Sequence, residues 1–143
     1  MKLEELYDLW GEDSKIDASE LTLEAMKVPQ LHHKYYKIFI SEKMRLKKYE
    51  AEYKQLYLDK YEFYTQGPST ETPKDWLMPS IGRILKDKVP LYMDADKHIV
   101  ESSLQIAMQK EKVEFLYSII STISNRSYLL NTMLGSERFR AGL

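Results

Sequence analysis

Residues 30–66 run for more than thirty positions without a glycine or a proline, so nothing in them interrupts a helix. Phe39, Leu46, Tyr49, Tyr53, Leu56 and Phe63 recur at steps of three, four or seven, the spacing of an apolar seam along a helix packed on another helix. Glu42 and Lys60 fall on the same stripe and break it twice with charge. At 1.5 Å per residue this helix is roughly 55 Å long. A small globule cannot enclose such a rod, so it projects or forms one arm of a helical hairpin.

The charge on this rod is lopsided. From Lys34 to Lys60, the basic residues Lys34, Lys37, Lys43, Arg45, Lys47, Lys48, Lys54 and Lys60 face only Glu42, Glu50, Glu52 and Asp59 in a chain of net charge −1, so the rest of the chain is acidic. Residues 1–24 carry much of that acid. Lys47, Lys48, Lys54 and Lys60, beside Tyr57, Tyr61 and Tyr64, suit a nucleic-acid strand: lysines on phosphates, rings under bases. The same residues also fit a structural coiled-coil adaptor, whose tyrosines fill a seam and whose lysines only solvate the outer face.

A second long helix is expected over 94–134, capped by Asp94 or Asp96 and ended by Gly135. One stripe on it is Ile106, Val113, Leu116, Ile120, Ile123 and Leu130; a second is Leu104, Met108, Phe115 and Ile119. Two apolar faces exceed what one partner helix covers. The first stripe is therefore read as an oligomer interface. The remaining elements are short. Residues 2–10 form a helix stopped by Gly11, and a second helix spans 18–27, with Asp17 and Glu20 at capping-box spacing. Pro29 suits the first turn of the long helix. A loop over 67–79 carries Trp76, Leu77 and Met78, expected to fold back on the protein. Residues 80–88 allow two helical turns capped by Ser80, and 89–93 is too short to assign. The expected fold class is all-α: a long helical hairpin with short N-terminal helices, built as one domain of residues 1–28, 29–66, 67–93 and 94–143.

The chain has no cysteine, which excludes disulfides and thiol chemistry. Its first residues lack the apolar stretch of a signal peptide, and no run reaches the ~20 apolar residues of a membrane span. There is no glycine-rich phosphate loop. His32 and His33 point about 100° apart on a helix and cannot share a metal, and His98 stands alone in the sequence. Neither a cofactor, a metal nor an enzymatic activity is expected.

Several short signals occur in order along nearly the whole chain. They are Leu3-Glu4-Glu5-Leu6; Ile16-Asp17-Ala18-Ser19 with Leu21 and Glu24-Ala25; Lys60, Glu62-Phe63-Tyr64-Thr65; Ala95-Asp96-Lys97; Ser103-Leu104-Gln105; Ile123-Ser124-Asn125-Arg126; and Arg138 with Ala141-Gly142. In these the chain resembles the UvsY family of recombination mediator proteins of tailed phages related to the T-even group. The resemblance implies a ring-shaped homo-oligomer, a hexamer or, preferably, a heptamer, acting in the cytoplasm of an infected bacterium. It implies binding of single-stranded DNA without sequence preference. It further implies loading of a RecA-like phage recombinase onto DNA covered by the phage single-strand-binding protein. Two positions depart from the family motif: Leu58 and Lys60 stand where the family has a Lys and an Arg, and Gln66-Gly67 lacks the basic residue after the Gly.

Overall fold

A computed structural model describes residues 1–80, 82 and 84–142. The glycine- and proline-free run is the larger part of a longer helix. The elements are α1 (Leu3–Asp13), α2 (Leu21–Gln66), a 3-10 turn (Lys86–Lys88), α3 (Val89–Ala95) and α4 (Lys97–Arg140), with no strand among the described residues. The fold is all-α and dominated by the α2 and α4 pair.

Several expected boundaries move. α2 begins at Leu21 and runs straight through Pro29, merging the two helices expected on either side of it. An interior proline removes a backbone donor and costs about 3 kcal/mol. The helix tolerates it because both flanks are anchored, Leu21 and Glu24 before it and Tyr35 after it all being buried. Asp17 closes a turn ahead of the helix: its Oδ1 accepts from the Ser19 N–H at 3.0 Å and the Ser19 hydroxyl at 2.6 Å. Gly11 and Gly135 end nothing; α1 continues to Asp13 and α4 to Arg140. Of the helix expected over 80–88, Ile81 and Arg83 lie outside the described residues, and the 3-10 turn at Lys86–Lys88 leads into α3. Residues 89–93 are thus helical, with Pro90 in a first turn that needs no N–H there.

The packing divides into two units, residues 1–43 with 111–143, and residues 44–110. In the first, α1 covers the start of α2 and the later half of α4 around Leu6, Tyr35, Leu116, Ile119 and Ile123, all at most 1% exposed. Burying each such aliphatic side chain stabilises by about 1.5–3 kcal/mol. Arg126 reaches across this core and donates to the carbonyls of Asp13 (3.1 Å) and Ser14 (2.6 Å), capping the C-terminus of α1 with a cation. Asp13 Oδ2 in turn accepts from Lys34 Nζ and the Tyr35 hydroxyl, each at 2.7 Å.

In the second unit Phe63 and Tyr64 at the end of α2 pack with Ile84, Val89, Met93 and Ile99. Trp76 and Met78 fold back onto this core, while Leu77 stays exposed. Asp96 caps α4, its Oδ1 accepting from the N–H groups of His98 (2.9 Å) and Ile99 (3.0 Å).

The seam read from the sequence faces inward in both units, and its two charges are among its most buried members. Glu42, 3% exposed, lies 3.6 Å from Lys112 Nζ and 3.3 Å from the N-terminal ammonium. Lys60, 1% exposed, lies 3.0 Å from Asp96 Oδ2.

The stripe expected to form an oligomer interface lies largely inside the single chain. Leu116, Ile123 and Leu130 are buried inside the chain, and Ile106, Val113 and Ile120 are half-buried. The later half of α4 turns this stripe toward its own subunit, because α1 adds the covering surface that α2 alone lacks. The exposed large apolar groups of α4 lie elsewhere: Val100, Leu104 and Met108 in the second unit, and Tyr117, Tyr128, Leu129 and Phe139 in the first.

Candidate nucleic-acid interface

The outer face of α2 in the second unit presents Lys47, Lys48 and Lys54 to solvent. Lys48 stands 3.9 Å from Glu52 in a loose, exposed pair, which restrains it little. Lys47 and Lys54 make no ion pair among the described residues. Seven residues separate them, about 10.5 Å along the axis and about 20° around it. Tyr61 lies seven residues further along the same line and is 39% exposed. Tyr57 is exposed beside the row, its ring 6.2 Å from that of Tyr53.

A groove between α2 and α4 borders this row, lined by Glu50, Tyr53 and Lys54 from α2 and by Ser103, Ile106 and Lys110 from α4. Lys110 adds a second helix's cation beside Lys54, with the Glu50 carboxylate as the opposing charge. The sequence carries no signal for this residue, since Gln109-Lys110-Glu111-Lys112 reads as a solvated stretch and only the pairing of helices brings Lys110 to Lys54.

Two residues expected to contact nucleic acid are instead internal. The Lys60 ammonium is enclosed by Asp96, by His98 Nδ1 at 2.9 Å and by the Trp76 ring, whose centroid lies 4.0 Å away. Tyr64 is 8% exposed and donates its hydroxyl to Asp96 Oδ2 at 2.6 Å. Burial alone would push the Asp96 carboxyl up. Hydrogen bonds from Tyr64, the Ile99 N–H and Lys60 outweigh it and hold the group below the usual carboxylate range. Burial and the Asp96 carboxylate raise the Tyr64 phenol, which stays a donor.

This cluster continues to the surface. His98 Nε2 lies 2.7 Å from Asp75 Oδ2. An ammonium has hydrogens to donate and no lone pair, so His98 Nδ1 accepts from Lys60 and Nε2 donates to Asp75. Every member is engaged in holding the 67–79 segment and the start of α4 to the end of α2. The acids Asp59, Glu62 and Glu71 line an open groove beside Trp76, but among the described residues no three acids or histidines converge as metal ligands would.

These features define an all-α protein built on a long helix pair, with an outward row of cations and tyrosines and with Glu42 and Lys60 committed to packing. No helix of the described residues is long and apolar enough to cross a membrane. The chain belongs to the UvsY family: the family described as "Recombination, repair and ssDNA binding protein UvsY" matches residues 9–143. Its fold is similar to crystal structures of the bacteriophage T4 recombination mediator protein UvsY. One, in lattice type II, has a TM-score of 0.80 at 22% identity, covering 99% of this chain and 98% of that one. Another, in lattice type IV, has a TM-score of 0.79 at 19% identity, covering 98% and 99%. A comparison with curated proteins found no match.

Proposed function

We propose that this protein binds single-stranded DNA without sequence preference. In this reading it works as a homo-oligomer and helps a RecA-like recombinase replace a single-strand-binding protein on the strand. The observation that carries the reading is the row of Lys47, Lys54 and Tyr61 on the solvent face of α2, joined by Lys110 across the groove. Phosphates meet the lysines and bases meet Tyr57 and Tyr61, with Lys48 adding charge at the rim. Two or three lysines bind weakly alone, and copies around an oligomer multiply the contact without new chemistry. A mediator needs many weak contacts of this kind, since the strand passes on to another protein.

The assembly surface in this reading is the later part of α4. Tyr117, Tyr128 and Phe139 recur at steps of eleven, about 20° apart per step, and are 64%, 80% and 86% exposed. Aromatic rings left in water along one line of a helix are suited to a second copy of the chain.

Titration of labelled oligo-dT at several salt concentrations tests the DNA reading. The Lys47→Ala, Lys54→Ala double variant loses two phosphate contacts, so its slope of log affinity against log salt falls by about 1.4 in magnitude. A wild-type protein that oligomerises but binds no oligonucleotide at low salt would replace this reading with that of a coiled-coil adaptor.

A further inference from the structure

The row of cations leads to a second concavity at the C-terminal end of α2. Tyr61 forms one wall of it. Ile84 and Val89, 8% and 1% exposed, form its apolar base, with Gln66 and Lys86 at the rim. Lys86 is exposed and makes no ion pair among the described residues, and the Gln66 amide makes no side-chain hydrogen bond among them. The acids nearest in sequence are Asp87 and Glu62. Asp87 follows Lys86 in a 3-10 turn, where successive side chains diverge by about 120°.

An aromatic wall, an apolar floor, an uncommitted amide and a free cation together match the parts of one nucleotide. The ring and floor take a base, the amide offers both a donor and an acceptor to whichever base edge arrives, and the cation takes the phosphate. Tyr61 also belongs to the line of Lys47 and Lys54, so a strand following those lysines reaches this groove without changing direction. We propose that the groove at the end of α2 takes one unpaired base of the bound strand, stacked on Tyr61 over Ile84 and Val89, with Lys86 on the adjoining phosphate. The proposal rests on the reading of the protein as a single-stranded-DNA binder and adds to it a defined base site that includes residues beyond α2.

The test compares oligo-dT with an abasic deoxyribose-phosphate oligomer of equal length, using the full chain at several salt concentrations. Tyr61→Leu, which keeps apolar bulk without a ring, lowers affinity for oligo-dT by about 5- to 150-fold per stacked base. It leaves affinity for the abasic oligomer unchanged, and Tyr61→Phe restores the difference. Lys86→Ala, at an exposed site where folding is not at risk, lowers the salt slope by about 0.7 on both oligomers. Equal losses on both oligomers in Tyr61→Leu overturn the base site while DNA binding stands. So do an unchanged slope in Lys86→Ala, or loss of self-association in Tyr61→Leu with DNA affinity intact, which would make the groove an interface between copies. Wild-type protein that binds neither oligomer sinks the underlying reading instead.

Discussion

Lys60 Nζ lies 3.0 Å from Asp96 Oδ2, with both side chains almost fully enclosed, in a contact between the last turns of α2 and the start of α4. Asp96 caps α4 with one oxygen and holds Lys60 and Tyr64 with the other. Lys60 is therefore committed to packing within this chain. Lys60→Met leaves Asp96 buried without its cation and should cost about 3–5 kcal/mol in urea unfolding. Adding Asp96→Asn, which still caps a helix and carries no charge, should recover part of that loss. The salt slope of oligo-dT binding should not change in the single variant. A drop of about 0.7 would put Lys60 on a phosphate after all.

Acid should act through Asp13 and Asp96. Both are pushed up by burial, yet held below the ordinary carboxylate range by hydrogen bonds, from Lys34 and Tyr35 in one case and from Tyr64, the Ile99 N–H and Lys60 in the other. A depressed folded-state pKa contributes stability above the unfolded value, about 3.9, and that contribution is lost as pH falls through the folded value. Unfolding free energy should thus be insensitive to these groups at neutral pH and decline below about pH 4. Asp96→Asn should be less stable than wild type at pH 7 and flatter in acid. An equally steep acid loss in Asp96→Asn would remove Asp96 from the explanation.

At the alkaline end the phenols of Tyr35 and Tyr64 are raised, by burial first and then by Asp13 and Asp96 respectively. A raised pKa means stability that is full below the unfolded value of about 10 and lost as pH climbs through the folded one. In an ultraviolet titration two of the eleven tyrosines should resist ionisation until the protein unfolds. Tyr35→Phe and Tyr64→Phe should each remove one from the late phase. Ionisation of all eleven together near pH 10 would contradict the buried hydrogen bonds.

Substitutions on α4 should separate core from assembly surface. Ile123, fully buried among Leu6, Tyr35 and Leu116, should not tolerate Asp: the variant unfolds its unit, losing helical circular dichroism. Tyr128→Glu with Phe139→Glu changes side chains 80% and 86% exposed in the single chain, so helicity should persist while light scattering reports smaller particles. Unchanged particle size in that double variant would move the interface to another face, with Leu104 and Met108 next in line.

Gly135 lies inside α4 with open space where a Cβ would stand. Gly135→Ala removes backbone freedom from the unfolded chain at no steric cost, and should raise stability by about 0.4–1 kcal/mol in denaturant unfolding. A loss of stability would mean that the assembly packs closely against this position.

The all-α class, the long-helix pair and the inward seam of Phe39, Leu46, Tyr53, Leu56 and Phe63 were legible in the sequence by itself. They depend on uninterrupted helical periodicity, a property of neighbours a few residues apart. The exposure of Lys47 and Lys54 followed from the same periodicity. Tertiary structure alone decided what periodicity leaves open. Pro29 and Gly135 read locally as boundaries, yet both lie within helices; at Pro29 the buried residues on either flank outweigh a local cost of about 3 kcal/mol. Lys60 and Lys54 look alike along the chain. One meets Asp96, His98 and Trp76 from distant positions and is buried, while the other meets water and, across a groove, Lys110. The partners of a charge lie a whole helix away in sequence, so only the packing of α2 against α4 decides whether a lysine is a buried structural pin or a solvent-exposed cation.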